Sequence, residues 1–147
     1  MAPRKQTKLA TEVARAAAFR IELRRFVRRT EAATAAAGLT SQRYDLLLLL
    51  KAAGGRDADV RLSELAELLQ LQQTGVTELV KRAEEARLVV RRPSPDDGRS
   101  WLLSLTPEGE RRLMRAFTAL RGDREALAAS LRDLDQRLRA GHDAVSS

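Results

Sequence analysis

The chain has 147 residues, 44% of them apolar but only 3% aromatic, so its core comes chiefly from leucine, valine and alanine, a composition that favours helices. With no cysteine and one histidine, His142, it has no disulfide, no thiolate chemistry, no multi-histidine metal centre and no buried catalytic triad. The net charge of +7 is accounted for by residues 1–30, where nine basic side chains stand against Glu12 and Glu22, while the rest of the chain is neutral.

Residues 1–8 are predicted to form a disordered basic arm. From Leu9, the positions Val13, Ala16, Phe19, Leu23, Phe26 and Val27 follow at helical steps, and Arg20, Arg24 and Arg28 make a second stripe. That second stripe is either a solvated face or a surface for an anionic partner. No Pro or Gly intervenes before Gly38, so one helix spans residues 9–38. Leu39-Thr40-Ser41 then supplies a hydrophobic staple and an N-cap. The run from Tyr44 to Ala53 is apolar nearly all round and reads as a buried helix ended by Gly54-Gly55. Its core, Leu46–Leu50, is far shorter than the ~18–20 apolar residues a membrane span needs. The start, Met1-Ala-Pro-Arg-Lys, has no apolar stretch behind it as a secretory leader would. A soluble, cytoplasmic protein that does not engage membranes is expected.

Val60-Arg61-Leu62 is a short strand candidate, with Ser63 capping a helix that reaches Leu69. A turn at Gln70–Gln73 leads into a helix that turns Val76, Leu79, Val80 and Ala83 inward. Leu88–Arg92 and Arg99–Leu105 read as strands joined through Pro93-Ser-Pro-Asp-Asp-Gly98, with Asp97-Gly98 at the hairpin tip. Strand, helix, turn, helix and hairpin, in that order, describe a winged helix-turn-helix. Thr106-Pro107-Glu108 opens a helix to about Arg121, with Thr as cap and Pro at the first position. Gly122-Asp123 breaks and recaps the chain. Leu127, Leu131, Leu134 and Leu138 then form a narrow stripe suited either to a helix–helix seam or to packing within the domain. The predicted fold class is mainly α with a small β wing. Its parts are an arm (1–8), an N-terminal helix (9–38), a winged head (39–105) and C-terminal helices (106–147).

These residues in this order resemble the MarR family of transcriptional regulators. The resemblance is carried by Leu39-Thr40 with Tyr44, Leu62-Ser63-Glu64-Leu65-Ala66, Leu71 through Val80, Leu88–Pro93, Asp97-Gly98-Arg99 and Leu105-Thr106-Pro107-Glu108-Gly109. It implies a homodimer whose terminal helices interlock, here through Leu9, Val13, Leu127, Leu131, Leu134 and Leu138, and whose two heads meet an inverted-repeat operator on double-stranded DNA. The second helix of each head would enter the major groove, with Gln72, Gln73, Thr74 and Thr77 at base edges and Lys81 nearer the backbone. The chemistry agrees: Gln pairs with adenine in a bidentate manner, and Thr offers a hydroxyl and a methyl. Ser63, Arg91 and Arg92 suit phosphate. In the family's Asp-x-Arg wing, Asp97 would brace Arg99 for the minor groove, where narrow A·T tracts concentrate negative potential.

Three positions depart from the family's pattern, one of them Ala83, which replaces the usual Leu and thins the core beneath the reading helix. Gln72 stands in place of an acidic or Ser cap, and Arg87 in place of a helix-ending Gly, which requires positive φ or a different exit. The acids Glu78, Glu84 and Glu85 lie on or near the reading helix and would repel phosphate. The resemblance also implies a repressor modulated by a small anionic or aromatic effector. Phe19, Leu23, Tyr44, Leu48 and Met114 are placed to line such a cleft, and Arg20 or Arg43 to meet a carboxylate, although each also reads as plain core or surface. No cofactor, metal or catalytic set is expected, and the chain is not read as an enzyme. The alternative reading is a winged-helix protein-interaction module that does not read DNA.

Overall fold

The structure, a computed structural model, describes residues 3–143. Nine elements follow in the order α1 (Pro3–Ala36), α2 (Ser41–Ala52), β1 (Ala58–Arg61), α3 (Leu62–Leu69), α4 (Gln73–Glu85), β2 (Val89–Pro93), β3 (Ser100–Leu105), α5 (Pro107–Ala119) and α6 (Arg121–Asp143). They fall into two compact units, a head (residues 31–119) and a terminal unit (residues 1–30 with 120–147). Among the described residues no helix is long and apolar enough to cross a membrane.

In the head, the strands form one antiparallel sheet in the order β1-β3-β2. Val60 opposes Trp101 on one side of β3, and Arg91 opposes Leu103 on the other. Leu46, Leu47 and Leu50 of α2 join Leu65, Val76, Val80, Ala83, Leu88, Leu103, Leu113 and Ala116 in the core. The helix ends are built from local chemistry. Gly38, at φ +73°, closes α1 while the Leu39 N–H donates to the Thr34 carbonyl at 2.9 Å. Thr40 caps α2 by accepting from the Arg43 N–H at 3.2 Å. Thr106 accepts from the Gly109 N–H at 2.9 Å and donates to the Arg87 carbonyl at 2.6 Å, tying the start of α5 to the exit of α4. Arg87 itself adopts φ +58°.

Four local expectations are corrected. First, helix begins at Pro3, not Leu9, so positions 3–8 of the expected disordered arm are helical; Pro fits a first turn, whose N–H groups lack helical partners, and no breaker follows. Residues 1–2 of that arm lie outside the described residues. Second, Ser63 does not cap α3: Leu62 is already helical, and Arg61, extended at φ −93°, occupies the cap without a side-chain capping bond. Third, Gln73 belongs to α4 and not to the turn, which closes at Gln70 in the left-handed region, φ +55°. Fourth, α5 ends at Ala119, and Gly122-Asp123 lies inside α6. At the second helical position a glycine is tolerated, and Asp123 in the first turn complements the helix dipole.

In the terminal unit, Arg29 of α1 pairs with Asp123 of α6 at 2.5 Å. Phe19, Phe26, Leu127 and Leu134 are half-buried. Leu9, Val13 and Leu131 stay 52%, 60% and 44% exposed. The side chain of Leu138 lies outside the described residues.

Candidate nucleic-acid interface

Helix α4 is two-faced. Val76, Leu79, Val80 and Ala83 are buried, and Gln73, Thr74, Thr77 and Lys81 project from the other side, preceded by exposed Gln72 at the cap. Spacings of three and four align the exposed set over two turns. The Thr77 hydroxyl donates to the Gln73 carbonyl at 3.0 Å, which fixes its rotamer and leaves its lone pairs and methyl outward. The acids on this helix are partly neutralised: Glu78 pairs with Arg82 at 2.9 Å, and Glu84 with Arg91 of β2 at 2.9 Å.

The β2–β3 hairpin ends in a tight turn, with the Ser100 N–H donating to the Asp97 carbonyl at 3.0 Å. Asp97 braces the tip, though differently from the sequence expectation. One carboxylate oxygen accepts from the backbone N–H of Arg99 at 2.9 Å, and the other pairs with Arg61 of β1 at 2.8 Å. The Arg99 N–H, reinforced by the charge of Arg61, holds the Asp97 carboxyl below the usual carboxylate range. The Arg99 guanidinium is exposed and forms no ion pair among the described residues. Arg61 is therefore a wing residue that sequence reading missed. The available signal was its place at the end of β1, where it opposes Ser100 in the register.

Arg91 and Arg92 flank the wing as expected but are engaged within the head. Arg92 pairs with Asp57 at 3.0 Å, and its hydrogen bond pulls the Asp57 carboxyl down. Ser63 is exposed on the first turn of α3.

The proposed effector residues divide between the two units. Phe19 lines a groove in the terminal unit with Arg15, Glu22, Asp133, Leu134 and Arg137, and Arg20 is exposed there with Leu23 half-buried. In the head, Arg43 lines a hollow with Leu71, Leu79 and Arg82, whereas Tyr44 is buried, Leu48 half-buried and Met114 exposed. No group of three or more potential metal ligands occurs among the described residues.

Known proteins share this architecture. A MarR family model matches residues 37–100. A protein proposed to be the transcriptional regulatory protein for the hcr operon of Thauera aromatica is 27% identical over 103 residues, 70% of this chain. The match spans only 60% of that relative's length. The transcriptional repressor CouR, solved bound to a 23-mer DNA duplex, is 27% identical with a TM-score of 0.63, over 88% of this chain and 90% of that one. A mutant of MarR from E. coli, solved with operator DNA, has a TM-score of 0.66 over 85% of this chain and 91% of its own; at 18% identity it speaks to the fold alone. The matched residues run from the end of α1 to the first residue of β3, and over this head the chain is similar to the MarR family.

Proposed function

We propose that this protein is a sequence-specific, double-stranded-DNA-binding transcriptional regulator, a repressor acting as a homodimer on an inverted repeat. The observation that carries this reading is the exposed Gln73–Thr74–Thr77–Lys81 face of α4, set on a buried apolar stripe, with the wing presenting an Arg99 that forms no ion pair among the described residues. The DNA-bound state of CouR, a relative of similar length, supports it. In this reading α4 enters the major groove, Gln72, Gln73, Thr74 and Thr77 meet base edges, and Lys81 lies nearer the phosphates. Arg99 enters the minor groove, where it reads width and potential. The exposed Leu9, Val13 and Leu131 support a second copy as partner. We assign the protein no catalytic step and place it in the cytoplasm. Modulation by a small anionic or aromatic molecule belongs to the same proposal.

Selection of duplexes from a random pool, followed by titration of two variants, tests the reading. The selected sites should be inverted repeats with half-site centres about 10 bp apart. Thr77→Val should cost about 1–3 kcal/mol at one operator position and relax selectivity there. Arg99→Ala should weaken binding to every operator, most where the flanks are A·T-rich. If both variants bind like the parent, the head does not read DNA through these residues, and a protein-interaction module becomes the better reading.

A further inference from the structure

Arg91 looks from its charge like a phosphate ligand, but its surroundings say otherwise. In β2 the side chains alternate, with Val89 buried and Val90 exposed, so Arg91 falls on the same inward face as Val89. Its partner in the register, Leu103, is fully buried, and Trp101, two residues earlier in β3, is its diagonal neighbour. The Arg91 guanidinium carbon lies 4.6 Å from the centre of the Trp101 ring, a cation–π distance. Its Nε meets the Glu84 carboxylate at 2.9 Å. That carboxylate oxygen is shielded from solvent and forms no hydrogen bond among the described residues, so its compensation there is the ion pair with Arg91. One planar cation thus joins the last turn of α4 to both strands of the wing.

We infer that Arg91 is a positioning residue: clamped between Glu84 and Trp101, it fixes the wing against α4 and so sets the separation between the groups that α4 and the wing tip present to DNA. The inference rests on the DNA-reading function proposed above. It makes Glu84 a contributor to DNA binding although it carries the wrong sign for a phosphate neighbour. A guanidinium suits this place because its planar, delocalised charge can lie over an indole and still sit beside a carboxylate, which a compact lysine ammonium does less well.

The chain has a single tryptophan, Trp101, so intrinsic fluorescence reports on the clamp directly. The full-length Arg91→Gln, Arg91→Lys and Glu84→Gln variants and the Arg91→Gln/Glu84→Gln pair should first be examined without DNA. Each should shift the Trp101 emission and raise its quenching by acrylamide, with an unchanged far-ultraviolet circular dichroism spectrum. Against the selected duplex, each single variant should lose about tenfold in affinity, which corresponds to roughly 1.4 kcal/mol. The dependence of log K on log salt should keep its slope, and the double variant should be no weaker than the weaker single one. A slope reduced by about 0.9 per head in Arg91→Gln, with full rescue by Arg91→Lys, would make Arg91 a phosphate ligand and overturn the clamp. Tighter or unchanged binding by Glu84→Gln would overturn it too. If the parent binds no duplex, the functional reading fails by itself. The fluorescence then decides the clamp: altered emission in Arg91→Gln and Glu84→Gln sustains it, and parental emission in both removes it.

Discussion

At Gly109 the first turn of α5 passes so close to the end of α4 that a β-carbon would stand 2.0 Å from the Leu88 carbonyl oxygen and 2.9 Å from its carbonyl carbon. Both are backbone atoms, so the clash has no flexible side chain to absorb it. The approach is held by Thr106, whose N–H donates to that same Leu88 carbonyl at 3.0 Å while its hydroxyl bonds Arg87 and Gly109. Gly109→Ala is expected to cost about 1–3 kcal/mol or more, seen as a lower denaturation midpoint at unchanged slope. The Thr-Pro-Glu helix start is legible in the sequence, but the need for glycine three residues on is not. It arises from α4, whose exit lies some twenty residues earlier in the chain. Arg87 shows the same division: the absence of a helix-ending glycine points to positive φ or another exit, and the structure resolves this as φ +58°.

Among the elements, α5 gathers much of the head's charge pairing. Glu108 accepts from Arg111 at 2.7 and 3.0 Å and from Arg112 at 2.6 Å, and Arg112 also donates to the Gly38 carbonyl at 3.0 Å, joining α5 to the end of α1. The hydrogen bonds from Arg111 and then Arg112 push the Glu108 carboxyl down from 4.5 to about 2. A carboxylate depressed in the folded state stabilises the fold above its unfolded value, and this contribution is lost as pH falls through the folded one. The parent should therefore lose stability between about pH 4.5 and about 2, and Glu108→Gln should flatten that part of the curve of melting temperature against pH. An unchanged acid limb would show that solvent screens these pairs. The i, i+3 and i, i+4 spacings that bring Glu108 to Arg111 and Arg112 are visible in the sequence. The third contact, to Gly38, is not.

For the whole molecule, the question is what covers the apolar positions that one chain leaves open. Leu9 and Val13 of α1 and Leu131 of α6 are about half exposed or more, and none serves the head's core. In the proposed dimer a second copy covers them. Val13→Glu with Leu131→Glu should then shift the protein from dimer to monomer in light scattering while the head keeps its melting transition. A persistent dimer would place the interface elsewhere. The sequence marks these positions through their helical spacing, yet spacing alone leaves open whether such a stripe packs at home or against a partner.

Taken by itself, the sequence determined what depends on near neighbours. Helical steps of three and four, the turn at Pro93–Gly98 and the caps at Thr40 and Thr106 act within a few residues, so the element order and the two-faced character of α4 could be read before any coordinates. The tertiary structure decided which charges meet. With 27 basic and 20 acidic residues, composition permits many pairings, and only the folded backbone selects Arg61 for Asp97, Arg92 for Asp57 and Arg91 for Glu84. Arg91 and Arg92 are adjacent and alike in type, yet strand alternation and the approach of α4 draw one to Trp101 and Glu84 and the other to Asp57. An ion pair between distant residues carries no periodic signature in the chain, because its partners are brought together by elements whose packing is set by the core.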